Sequence, residues 1–323
     1  MGGQVESMMT KKLLLDVDPG IDDAVALCLA LFDPQIEVVA VTAVGGNVPP
    51  EQATRNVQAV VEQLDPPRRP RIGEASEPDM GLPRRNVQLH GPDGLGNSNF
   101  EVSQLQHRHP SDKVIYEEVR AAPGEVTIVA LGPLTNVARA LARDPALGEM
   151  VSQIVIMGGT LSGVGNVTPA ADFNIYCDPE SARAVFRSSA ATKTLVPIDV
   201  SCQVTFGYDL LEKLPREHHR VGRFLRGILP YLFRSYRQEL GYESICLNDA
   251  VALLAALHPE LFEVDLAAVD VELSGELTRG ATVFDRRRVR EWRTNVAVAT
   301  KLDVAAARDC ILRGISAAAA ASG

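Results

Sequence analysis

Four carboxylates crowd one short stretch, LLLDVDPGIDDAVA (Leu13–Ala26): Asp16, Asp18, Asp22 and Asp23. An apolar run precedes them and a helix-period run follows. Asp22 and Asp23 fall where the first turn of a helix would lie, and there the helix dipole alone favours negative charge. That explains neither Asp16 nor Asp18, which close a strand with a dry side. Ionised carboxylates in such a place repel one another and lose solvation unless they are protonated, paired or bound to a cation. The nearest bases, Lys11 and Lys12, stand at the other end of the strand, ~15 Å away at ~3.3 Å per residue. A hard cation with oxygen ligands, Ca²⁺ or Mg²⁺, is the natural solution. An EF-hand loop is excluded, because the twelfth position from Asp16 is Leu27 rather than Glu and Pro19 lies inside the stretch. At a side-chain period of two, Asp16 shares Asp18's side of the strand and reads as a structural carboxylate.

The elements around this cluster alternate. Lys12–Val17 reads as a buried strand and Asp22–Phe32 as a helix with Ala24, Leu27, Cys28 and Leu31 on one face. Strand 36–44 is followed by helix 50–64, with Pro in its first turn. Strand 126–131, helix 133–142, strand 154–157, helix 178–188 and strand 194–198 continue the pattern. Such alternation predicts an α/β fold, an open and mostly parallel sheet with helices on both faces. Residues 208–257 turn mainly helical, and 208–246 reads as a lid-like excursion near the site. The Ala-rich end ISAAAAASG reads as a fraying helix end or a tail. No repeat or linker divides the chain, so residues 1–323 are read as one domain with its core over about 12–310. Ligands of open parallel sheets bind beyond the carboxyl ends of the strands. GGN (Gly45–Asn47), LGPLTN (Leu131–Asn136) and MGGTLSGVGN (Met157–Asn166) follow successive strands there, which points to one shared site.

Bulk properties narrow the class. A formal net charge of −9 argues against a general nucleic-acid binder. The basic runs RRPR (Arg68–Arg71) and DRRRVR (Asp285–Arg290) lack interleaved aromatics and read as solvated faces. The scattered cysteines form no CxxC pair and fit reduced thiols in a cytoplasmic protein. MGGQVESMMTKK has no apolar signal core, and no apolar run is long enough to span a bilayer, so no membrane partner is expected.

DVDPGIDDAVA resembles the DxDPGxDDAxA signature of the inosine–uridine-preferring nucleoside hydrolase family. VGGN (Val44–Asn47), HGPDGLG (His90–Gly96), LGPLTN, MGG…GN…ADFN…DPE (Met157–Glu180) and Asn248–Asp249 follow in the family's order. The resemblance implies Ca²⁺-dependent hydrolysis of the N-glycosidic bond of ribonucleosides to ribose and free base, plausible in purine or pyrimidine salvage and catabolism, by a homodimer or homotetramer. It implies that Asp18 binds the ion and acts as general base on the attacking water. Asp23, Asp249 and the main-chain carbonyl of Leu131 are the other implied metal ligands. Asp22 would bind the 2′-hydroxyl, Asn174 the 3′-hydroxyl, and Asn166 and Asp172 the 5′-hydroxyl, while Asn47 orients water or ribose beside the ion. The chemistry is coherent, since a ring of carboxylates and amide oxygens stabilises an oxocarbenium-like sugar.

The sequence departs from the family in three places. Where many members place a His that protonates the leaving base, this chain has Asn248, which cannot act as an acid. Asp172 replaces a Glu, and Ala250 a Pro. His90, matching a family His near the base, is the remaining catalytic candidate. Tyr231, Tyr236 and Tyr242 are candidate lid residues, whereas His107 and His109 read as loop histidines. The competing readings are a nucleoside-binding protein without turnover and a haloacid-dehalogenase-like phosphatase. The latter fits Pro19–Gly20 poorly and leaves GPLTN and ADFN unexplained.

Overall fold

A computed structural model of the chain describes residues 10–76, 87–103, 109–190 and 192–323. Part of the Glu74–Phe100 loop, and His107, lie outside them.

Among the described residues the central sheet has eight strands in the order β3-β2-β1-β4-β5-β6-β12-β9. Here β1 is Lys11–Val17, β2 Ile36–Ala43, β3 Arg71–Gly73, β4 Val126–Ala130, β5 Gln153–Met157, β6 Lys193–Val196, β9 Phe262–Ala267 and β12 Val296–Leu302. Two small antiparallel pairs lie apart from it: β7 (Thr205–Gly207) with β8 (Ser244–Cys246), and β10 (Val269–Val271) with β11 (Thr282–Phe284). Every pairing in the main sheet is parallel except β12 with the edge strand β9. Alternation along β1 divides the core. Leu13, Leu15 and Val17 enter the apolar cluster on one face, and Leu14 enters the cluster on the other. Helices Ile21–Phe32, Pro50–Leu64, Arg220–Ser235, Asn248–Leu257 and Val304–Ala321 cover the first face. Helices Ser111–Ala121, Thr135–Arg143 and Pro179–Arg187 cover the second.

The predicted alternation holds, with corrections. Helix Ile21–Phe32 is not merely amphipathic: all of it but Asp22 is buried, because helices 220–235, 248–257 and 304–321 enclose it. The predicted strand 194–198 ends at Val196, and Ile198–Ser201 is a helical turn. The C-terminal run does not fray. Helix Val304–Ala321 buries Ile315, Ala318 and Ala319, since alanine is small enough for close helix contact. The excursion at 208–246 keeps helix Arg220–Ser235 and a π turn at Tyr236–Leu240, and β8 adds a strand to it. Among the basic runs, Arg69 pairs with Asp65, Arg71 with Glu117 and Glu118, and Arg287 with Asp285 and Glu291. Among the described residues, no helix is long and apolar enough to cross a membrane.

Candidate active site

Strand order reverses between β1 and β4, which opens a crevice beyond their carboxyl ends. A small cavity of ≈ 70 Å³ lies there. Its wall contains Asp18, Asp22, Asn47, His90, Leu131, Asn166, Asp172, Asn174, Asn248 and Asp249, and of the implied metal ligands and ribose contacts it lacks Asp23. Size alone would not find it: a hollow of ≈ 340 Å³ beside Leu29, Leu254 and Gly314 is larger and far poorer in carboxylates.

Asp18, one residue past β1, is 1% exposed. Its Oδ2 accepts the backbone N–H of Asn47 (2.8 Å), and its own carbonyl accepts Asn47 Nδ2 (3.1 Å). The glycines of two motifs make room for it. A Cβ on Gly46 would stand 2.1 Å from Asp18 Oδ2, and one on Gly132 2.6 Å from Oδ1. Burial, then the charge of Asp23, pushes the Asp18 carboxyl well above the usual carboxylate range.

Asp22 and Asp23 occupy the first turn of helix Ile21–Phe32, and Asp249 the first turn of helix Asn248–Leu257. One oxygen from each lies within 4.8 Å of the others. Asp23 Oδ2 caps its helix by accepting the Gly20 N–H (2.8 Å), while Oδ1 is buried with no hydrogen-bond partner. Burial and the Asp22 charge raise Asp23 to about 7, and burial followed by the Asp22 charge raises Asp249 well above the usual carboxylate range. An orphaned buried oxygen among converging carboxylates fits a hard cation. The tightest trio is thus Asp22, Asp23 and Asp249, with Asp18 beside it. Asn47 Oδ1, also buried without a partner, lines the same cavity.

Asp16 stays out of the cavity wall. Its Oδ1 accepts Thr42 Oγ1 (2.7 Å) and Asn136 Nδ2 (2.8 Å), and burial raises it to about 7. Asn136, the last residue of LGPLTN, therefore serves the scaffold, and it also donates to the Ala43 carbonyl (2.8 Å). Thr135 donates to Asp178 (2.6 Å), which caps helix Pro179–Arg187.

On the far wall, Asn174 Nδ2 donates to the Leu131 carbonyl (2.5 Å), so the implied main-chain ligand faces the implied ribose contact. Asp172 caps helix Phe173–Cys177: its Oδ1 accepts Ile175 N (3.1 Å) and Gly159 N (2.9 Å). Burial raises it to about 6. Asn166 Oδ1 accepts Phe173 N (2.9 Å).

His90 Nδ1 accepts the Ile21 N–H (3.1 Å), so the neutral ring carries its proton on Nε2. Burial lowers its pKa against the opposing pull of Asp22, 3.9 Å away. The loop behind it is tied by Asn56, which donates to the carbonyls of Pro19 (3.1 Å) and Asp93 (2.7 Å). Of the three tyrosines, only Tyr236 lines the cavity; Tyr231 lies against Gly91 and Gly96, and Tyr242 is 61% exposed. Sequence reading missed Asn56, a mid-helix residue without a motif, and Ser201 and Cys202, which hold Asn248 from a separate turn.

The family model for inosine-uridine preferring nucleoside hydrolases matches residues 13–309. The chain is 37% identical over 301 residues to the non-specific ribonucleoside hydrolase RihC of Escherichia coli (strain SMS-3-5 / SECEC), covering 92% of this chain and 95% of that protein. It is 36% identical over 292 residues to probable uridine nucleosidase 1 of Oryza sativa subsp. japonica, covering 90% and 89%. The structure of a purine-preferring ribonucleoside hydrolase from Gardnerella vaginalis superposes with a TM-score of 0.88 at 28% identity, covering 96% of this chain and 99% of that one. The α/β fold is thus that of a known hydrolase class. The chain belongs to the inosine-uridine preferring nucleoside hydrolase family and is an enzyme that cleaves nucleosides, which displaces the phosphatase reading.

Proposed function

We propose that this enzyme hydrolyses the N-glycosidic bond of ribonucleosides with the help of one Ca²⁺ held by Asp18, Asp23, Asp249 and the Leu131 carbonyl. The observation that carries the reading is the buried, unpartnered Oδ1 of Asp23 beside Asp22 and Asp249, two residues that line the cavity. When bound, the ion neutralises these carboxylates, orients ribose hydroxyls and acidifies water. Asp18 accepts the proton of the attacking water; its Oδ2 is already oriented by the Asn47 N–H. Asp22 and Asn174 hold the 2′- and 3′-hydroxyls, and Asn166 holds the 5′-hydroxyl. Asp172 spends Oδ1 on its helix, so it acts on the 5′ side through its other oxygen or by fixing the loop. As the C–N bond breaks, negative charge around the sugar stabilises the oxocarbenium-like ring. His90 meets the base side as a neutral Nε2–H donor.

Two features favour a site shaped for ribose. The polar groups converge on one small space, and they come from loops after several strands, as a shared ligand requires. The test is release of reducing sugar from inosine, uridine, xanthosine, adenosine and cytidine with Ca²⁺ present. Ribose release from at least one nucleoside, lost in Asp18→Ala, supports the proposal. Saturable nucleoside binding without ribose would instead support a binding protein.

A further inference from the structure

Asn248 lines the cavity, and on the reading above it takes the leaving-base end, where its side chain cannot give up a proton. The question is which end of its amide faces the base. Its Oδ1 accepts two hydrogen bonds, from Ser201 Oγ (2.9 Å) and Cys202 Sγ (3.2 Å). Ser201 is fully buried, and among the described residues its hydroxyl has no other acceptor. Both acceptor positions of Oδ1 are filled, and a half turn of the amide would take from the buried Ser201 hydroxyl its acceptor among the described residues. Nδ2 therefore points away from them, and among the described residues no protein acceptor takes it. The clamp is built into the fold. Ser201 ends the turn Ile198–Ser201, Cys202 follows it, and the pairing of Thr205 with Cys246 in β7 and β8 brings that turn against the start of helix Asn248–Leu257.

We propose that Ser201 and Cys202 are positioning residues that fix Asn248 as a permanent hydrogen-bond donor to the leaving base. The inference rests on reading the cavity as a nucleoside site. The ligand atom it selects is an acceptor on the base edge, a ring carbonyl oxygen or an unprotonated ring nitrogen. In the cleavage step the electron pair of the C–N bond passes to the base, water adds to the anomeric carbon, and the water proton goes to Asp18. The base leaves as an anion hydrogen-bonded to Nδ2 and takes its proton from solvent. A charged acceptor strengthens that bond as the C–N bond breaks, so the amide contributes to the rate and not only to binding.

The experiment compares the wild type with the Ser201→Ala/Cys202→Ala double variant. Substrates are a natural nucleoside that the wild type cleaves and p-nitrophenyl riboside, whose leaving group needs no such donor. The expected result is a fall of about tenfold in kcat/KM for the nucleoside, carried mainly by kcat, and a change of less than about twofold for p-nitrophenyl riboside. Ser201→Thr/Cys202→Ser, which keeps two donors, should restore the nucleoside rate. Equal losses on both substrates would mean a merely structural role, and no loss on either would mean that the amide is not clamped; both overturn the proposal. A wild type that cleaves no nucleoside at all would instead overturn the reading of the site on which the proposal rests.

Discussion

At the scale of single residues, Asp18 is tightly constrained. It is buried, its Oδ2 is fixed by one backbone N–H, and two glycines close on its oxygens. Asp18→Asn keeps the shape and removes the base, so kcat should fall by about 10²–10⁴ while the melting temperature holds, read by ribose release and calorimetry. Gly46→Ala should act on the same atom from outside. A methyl 2.1 Å from Asp18 Oδ2 must displace the carboxylate or the loop, so activity should collapse although no proposed catalytic group has been changed. Retained wild-type turnover in Gly46→Ala would show that Asp18 need not sit where the structure places it. This is also the scale at which the sequence was most legible. The crowding of carboxylates past a dry strand and the order of the motifs located the cavity wall. The orientation of each group was not legible: Asp172 turns an oxygen to its own helix by a local cap, and Asn248 is held by Ser201 and Cys202 through contacts between segments distant in the chain.

Elements hold these residues through buried polar ties. Asn136 joins helix Thr135–Arg143 to β1 through Asp16 and to β2 through the Ala43 carbonyl. Asn136→Ala removes both donors and leaves Asp16 with Thr42 alone, so stability should drop by about 1–3 kcal/mol in urea unfolding. The alternation of apolar runs with helix-period segments disclosed the parallel sheet because buried strands and core helices carry strong local patterns. The pattern misled where burial was total. Helix Ile21–Phe32 is enclosed on all sides, so one apolar stripe underdescribes it. The Ala-rich terminus reads like a tail because small side chains give little hydrophobic signal, yet Ala318 and Ala319 are buried. Short strands were legible from Val264 on, but not the antiparallel edge position of β9, since its pairing is set by the long-range approach of β12.

For the whole molecule, the burial of so many carboxylates couples stability to pH and to the ion. Burial pushes Asp16 and Asp23 up to about 7 and Asp172 up to about 6, all above the ordinary value of 3.8. Between pH 4 and 7 the folded ion-free protein therefore binds more protons than the unfolded chain. The sign follows: ion-free stability should fall as pH rises through that window. Ca²⁺ should reverse this for the site carboxylates, so its stabilising effect in thermal unfolding should be small near pH 5 and larger near pH 8. An ion effect that does not grow with pH would argue against Asp23 and Asp249 as its ligands. The most direct test of the central claim is ribose release by chelator-stripped enzyme during titration with Ca²⁺, using the nucleoside it cleaves best. The account expects negligible release without the ion and recovery that saturates at one Ca²⁺ per chain. Full turnover by stripped enzyme would contradict the account.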